Sequence, residues 1–77
     1  MEVDFVLYGN RGIKAFEIKR TAKVSSLMLK GLKAFKKDYP SAKTYFLYGG
    51  ERVLKDGDIE ILPFGDTLKE LGNILSK

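Results

Sequence analysis

The segment Thr44-Tyr45-Phe46-Leu47-Tyr48 constrains this chain more than any other. Five residues with no charged side chain, stopped by Gly49-Gly50, have no polar side to offer solvent, so a strand made of them is buried on both faces. Such a strand sits inside a sheet, beside a parallel neighbour reached through a helix. The preceding residues supply that helix. Ser25 or Ser26 can cap a helix that runs to about Asp38 and ends at Tyr39-Pro40. Met28, Leu32, Phe35 and Tyr39 recur at helical spacing as a core stripe, and Lys30, Lys33 and Lys37 share another face that reads as solvated.

Before the helix, Val3-Asp4-Phe5-Val6-Leu7-Tyr8 and Ile13-Lys14-Ala15-Phe16-Glu17-Ile18-Lys19 flank the turn cluster Gly9-Asn10-Arg11-Gly12. This is the pattern of a β-hairpin. A two-residue turn at Asn10-Arg11 pairs Tyr8 with Ile13, Phe5 with Phe16, Val3 with Ile18 and Asp4 with Glu17, whereas a three-residue loop would place Asp4 and Glu17 on opposite faces unless a bulge restored the parity. Period-2 alternation then predicts Val3, Phe5, Leu7, Phe16 and Ile18 on one face. Asp4, Val6, Tyr8, Ile13, Ala15, Glu17 and Lys19 fall on the other, with the charges gathered at the end away from the turn.

After Gly50, Arg52-Val53-Leu54 and a Lys55-Asp56-Gly57-Asp58 turn lead into Ile59-Glu60-Ile61-Leu62, stopped by Pro63, with one short peripheral strand expected. Asp66 caps a last helix whose apolar face is Leu68, Leu71, Ile74 and Leu75. The expectation is one α/β domain over residues 1–77. It has a three-layer type of mixed β-sheet, with an N-terminal antiparallel hairpin, a right-handed βαβ crossover and a C-terminal helix.

With 77 residues and neither Cys nor His, disulfides, zinc sites, haem ligation and every Ser-His or Cys-His catalytic arrangement are excluded. A small secreted domain usually carries disulfides, so the expected location is cytoplasmic. No segment approaches the roughly 20 apolar residues of a membrane span, and no basic leader opens the sequence, so no membrane partner is expected. Residues 1–38 carry nine Lys/Arg against four acids, whereas the rest carries five against six. A polyanion would meet the first half.

Two carboxylates opposite one another on a hairpin repel and call for a compensating charge, which Lys19 provides on the same face. Paired carboxylates beside an ammonium suit a hard divalent cation, because Mg²⁺ takes one or two carboxylates and completes its shell with water and phosphate oxygens. Arg20 and Lys23 follow this strand and are candidates to flank a nucleic-acid backbone. Tyr8, Tyr45, Phe46 and Tyr48 read as core or sheet residues and Gly49-Gly50 as a turn.

Glu2-Val3-Asp4-Phe5-Val6, the hairpin turn, Phe16-Glu17-Ile18-Lys19-Arg20, Leu29-Lys30-Gly31-Leu32 and Asp38-Tyr39-Pro40 together resemble a known family. It is the C-terminal domain of uncharacterised bacterial and archaeal AAA-type ATPases, with a restriction-endonuclease-like fold. Ile59-Glu60-Ile61-Leu62-Pro63 and the Leu-rich ending are similar too. The nuclease signature, Asp followed by Glu-x-Lys, falls on Asp4, Glu17 and Lys19. The resemblance implies that Asp4 and Glu17 bind Mg²⁺, with the Ile18 carbonyl as a third donor, and that Lys19 positions the attacking water. Lys19, Arg20 and Lys23 would meet nucleic acid. The family pattern also has a helix before the Asp strand and sometimes a proline before the Asp. Here the strand opens the sequence and Val3 takes that place. No G-x-x-x-x-G-K-[ST] occurs, so this chain has no ATP site of its own and an ATPase domain of the same protein is the implied partner.

The functional expectation is a nuclease-fold accessory domain of an ATPase, with metal-dependent phosphodiester hydrolysis or nucleic-acid binding. Two alternatives use the same residues: a non-catalytic docking module for an ATPase or partner protein, and a β-grasp-like module. The β-grasp reading is separated by whether the strand after the helix lies parallel to the Glu17 strand at the sheet centre and by the Asp4–Glu17 geometry.

Overall fold

The computed structural model describes residues 3–65. Strands β1 (Phe5–Gly9) and β2 (Gly12–Ile18) form the antiparallel hairpin, in the register expected: Phe5 opposite Phe16 and Tyr8 opposite Ile13. Gly12 takes a φ of 108° at the turn, a conformation that L side chains seldom adopt. A connection then leads through a short 3-10 turn (Ser26–Leu29) into α1 (Lys30–Asp38) and on to β3 (Lys43–Tyr48). A hairpin of β4 (Leu54–Asp56) and β5 (Ile59–Pro63), turned through Gly57 at a φ of 59°, completes the described chain.

The sheet order is β1-β2-β3-β5-β4. Strand β3 lies at its centre, parallel to β2 on one side and to β5 on the other. Thr44 to Tyr48 are all buried, as a charge-free run requires. The strand after the helix is therefore central and parallel to the Glu17 strand. Strand β4 is the short edge, and it includes Lys55 and Asp56, which the sequence pattern assigns to the turn.

Two apolar clusters lie on opposite sides of the sheet. On the α1 side Leu29, Leu32 and Phe35 pack with Ala15, Phe46, Tyr48, Ile59 and Ile61. On the other side Phe16, Tyr45 and Leu47 pack with Phe5, Leu7, Ile18 and Leu62. There Phe5, Phe16 and Tyr45 form a stacked row across three strands, with centroids 4.7 and 5.0 Å apart. Burial and cross-strand stacking act together at this row. The C-terminal helix expected from Asp66 onward lies outside the described residues.

Three local expectations differ from the structure. Val3 packs with the α1-side cluster rather than beside Phe5 and Leu7, because the chain leaves regular strand geometry at Asp4, which is a bend. The helix does not begin as an α-helix at Ser25 or Ser26. Its first turn is 3-10, closed by the Met28 N–H donating to the Ser25 carbonyl, and the Ser25 side chain makes no cap. Tyr39 is 41% exposed and leans on Phe35 at 4.7 Å, because as the C-cap, at a φ of −130° and a ψ of 77°, it has left the helical spiral. At the other end of the helix the 3-10 turn buries Leu29, which the 3.6-residue stripe does not include.

Candidate functional site

The expected site residues lie at the open end of the hairpin, where β1 begins and β2 ends. The Asp4 N–H donates to the Phe16 carbonyl at 2.9 Å. The Ile18 N–H donates to Asp4 Oδ2 at 2.6 Å. A carboxylate thus takes the position of a ladder carbonyl and holds the last residue of β2. A strand residue that pairs with its neighbour points its N–H and carbonyl to the same edge. The Ile18 carbonyl therefore opens towards β1, as Asp4 does. The next residue faces the other way, and the Lys19 N–H donates to the Leu47 carbonyl of β3 at 2.9 Å. Asp4 and the Glu-x-Lys segment are joined by this tertiary contact across 14 positions of sequence.

Glu17 stands on the α1 side of β2 and is only 5% exposed. With Lys19 it lines a groove of about 380 Å³ between the end of β2 and the start of α1, closed by Leu27, Met28, Lys30, Gly31 and Ala34. Asp4 is not among the described residues of that lining. The single face expected for Asp4, Glu17 and Lys19 is thus divided. Glu17 and Lys19 share the groove, and the Asp4 carboxylate turns instead to the Ile18 N–H in the plane of the sheet.

The basic residues separate as well. Arg20 lines a second cavity of about 340 Å³ with Tyr48, Gly49, Gly50 and Phe64. The Gly49 N–H donates to the Thr21 carbonyl at 2.8 Å, and a Cβ on Gly49 would collide with the Arg20 carbonyl. The Gly-Gly pair is therefore a turn packed under the connection after β2. Lys23 lies in that exposed connection, its N–H donating to Thr21 Oγ1 at 3.2 Å. Lys19 and Arg20, adjacent in sequence, line different cavities.

One residue gains a role that its position on a lysine-bearing helix face did not suggest. Lys30 opens α1 and lines the Glu17 groove, while Lys33, one turn on, pairs with Asp56 at 3.6 Å over the edge hairpin. Helical spacing groups these lysines but does not say which end of the sheet each one meets. Among the described residues no group of three or more His, Cys, Asp or Glu is placed to hold a metal. The residues that the nuclease signature names, Asp4, Glu17 and the Ile18 carbonyl, offer only oxygen donors. All are hard oxygens, and their number suits an ion that keeps water and phosphate in its shell, as Mg²⁺ does, rather than a protein cage for Ca²⁺. Asp4 engages one carboxylate oxygen with Ile18, which orients the group.

No curated protein and no solved structure matches this chain significantly. The model of one family, described as Domain of unknown function (DUF4143), matches residues 1–67. Because that match takes in most of the 77 residues, the chain belongs to the DUF4143 family.

Proposed function

We propose that this DUF4143 domain is a nuclease-fold accessory domain of an ATPase, that it engages nucleic acid at the corner formed by Asp4, Glu17 and Lys19, and that Asp4 and Glu17 hold Mg²⁺ there. The observation that carries the reading is the 2.6 Å bond from the Ile18 N–H to Asp4 Oδ2. It joins the distant aspartate to the residue between Glu17 and Lys19, which chance occurrence of the motif in sequence does not require. Family membership adds support, since DUF4143 domains are typically found in AAA-ATPase-associated proteins.

In this reading each residue has a separate task. Ile18 fixes the Asp4 carboxylate through its N–H, so one cation donor is oriented before any ligand arrives. Glu17 supplies the second carboxylate from the buried side of the strand. The Lys19 ammonium, in the same groove as Glu17, offsets negative charge on a phosphate oxygen. When bound, Mg²⁺ would polarise a phosphoryl oxygen and promote attack by water.

A Mg²⁺ or Mn²⁺ titration followed by amide NMR tests the proposal. Shifts centred on Asp4, Glu17, Ile18 and Lys19, abolished in the Asp4→Ala, Glu17→Ala double variant, are expected. Unchanged spectra at millimolar metal, or metal binding that survives in the double variant, would remove the site. A second reading, a non-catalytic docking module, is favoured by the exposed apolar residues Val53 and Leu54 at the edge hairpin. It predicts protection of β4 amides by an added ATPase domain with no metal response.

A further inference from the structure

The groove beside Glu17 contains more than the nuclease signature requires. Its outer wall is Leu27, Met28, Lys30 and Ala34, brought there by the 3-10 turn and the first turns of α1. Leu27, a large apolar side chain, is 75% exposed and lines the same groove as Lys19 and Lys30. Among the described residues Lys19 and Lys30 outnumber Glu17 in the charged lining of the groove, so the local balance they give favours an anion. A ligand that satisfies all of these groups carries phosphate on one part and apolar surface on another.

A nucleic acid meets that description only where its bases are unstacked. In a closed duplex the base faces are hidden and phosphates dominate what a protein touches. A single strand offers base faces and sugars together with its backbone; many proteins that bind it stack those faces on aromatic rings, and here the aliphatic Leu27 and Met28 supply the apolar surface instead. The groove volume of about 380 Å³ lies near the small end of the range of about 300–1,000 Å³ for ligand clefts, a size suited to one nucleotide unit. Resting on the nucleic-acid reading above, we infer that this groove is a single-strand site. One nucleotide lies against Leu27 and Met28, while Lys30 and Lys19 hold neighbouring phosphates. Lys30 is then a positioning residue for the strand, outside the nuclease signature.

The test is fluorescence anisotropy of the 77-residue chain in EDTA, with a labelled ten-nucleotide oligothymidylate and a closed hairpin duplex as probes across a salt series. The oligothymidylate is expected to bind more tightly than the duplex. Lys30→Gln should weaken it about 3- to 10-fold and reduce the slope of log K against log salt by about 0.7, the loss of one single-strand phosphate contact. Lys37→Gln makes the same charge change on α1 outside the groove and should weaken binding less than twofold. Leu27→Ser should narrow the gap between strand and duplex. Equal effects of Lys30→Gln and Lys37→Gln would overturn the inference by reducing it to diffuse charge, and tighter binding of the duplex would overturn the choice of strand. A polyglutamate peptide binding as well as the oligothymidylate would assign the groove to an acidic protein partner. If neither nucleic acid binds while Mg²⁺ still shifts the Asp4 and Glu17 amides, this inference fails and the metal site stands. If metal shifts are absent but the oligothymidylate binds through Lys30, the inference stands without the metal.

Discussion

Replacing Asp4 separates what the residue does for the fold from what it does for a cation. Asp4→Ala removes the acceptor of the Ile18 N–H, now bound at 2.6 Å. Hydrogen bonds to a charged group contribute about 1.5–3 kcal/mol net, and the exposure of Asp4 places this one near about 1.5 kcal/mol. In a domain of 77 residues each kcal/mol moves Tm by about 4–8 °C, so the variant should melt about 6–12 °C below the parent. Asp4→Asn retains an oxygen acceptor but not the charge. A neutral bond contributes about 1 kcal/mol, so this variant should lose less than about 1 kcal/mol. Thermal unfolding by circular dichroism measures both, and amide exchange at Ile18 reports the bond itself. A metal role adds a distinct signature. A cation at 100 times its Kd would stabilise the parent by about 2.7 kcal/mol through linkage. That increment should vanish in Asp4→Asn although its metal-free stability is nearly retained. Parental Tm and unchanged Ile18 exchange in Asp4→Ala would refute the structural argument. A full Mg²⁺ increment in Asp4→Asn would refute the metal argument alone.

Phe16 is fully buried between Phe5 and Tyr45. Phe16→Ala should cost about 3–5 kcal/mol, a large part of the roughly 4–12 kcal/mol expected for a domain of this length; a urea midpoint within error of the parent would contradict it. Gly49→Ala drives a Cβ into the Arg20 carbonyl, whereas Gly9→Ala meets open space. The first should destabilise by about 1–3 kcal/mol and the second much less, as compared by urea denaturation. Burial, and secondarily the Glu60 carboxylate, raises the Tyr45 phenol above its ordinary value. With the folded value above the unfolded one, the contribution is complete below about pH 10 and is lost as pH rises through the folded value. Tyr45→Phe should abolish this alkaline fall, measured as urea midpoint against pH, and Glu60→Gln should reduce it.

Local pattern carried much of this fold because two kinds of residue left little choice. Thr44 to Tyr48 have no charge to expose, so their strand had to be central. Gly9-Asn10-Arg11-Gly12 allowed the two-residue turn that sets the pairing of Phe5 with Phe16. The proximity of Asp4 to the Glu-x-Lys segment follows from that register. Alternation failed at the strand end, where the chain bends at Asp4. Asp4 turns its carboxylate into the sheet plane to meet the Ile18 N–H, and Val3 joins the α1 side.

The helix pattern failed in a similar place. A period of 3.6 identified Leu32 and Phe35 as core but could not anticipate a 3-10 first turn that buries Leu29 and leaves Leu27 on the groove rim. By itself, the sequence determined the hairpin, the central strand and the excluded chemistries, because these depend on residue type and on spacing within one element. The tertiary structure alone decided that Glu17 and Lys19 share a groove with Lys30, that Arg20 faces a different cavity and that the Asp4 carboxylate turns to the Ile18 N–H. Those relations depend on how the end of β2 meets the start of α1, where elements distant in sequence come together and local periodicity carries no information.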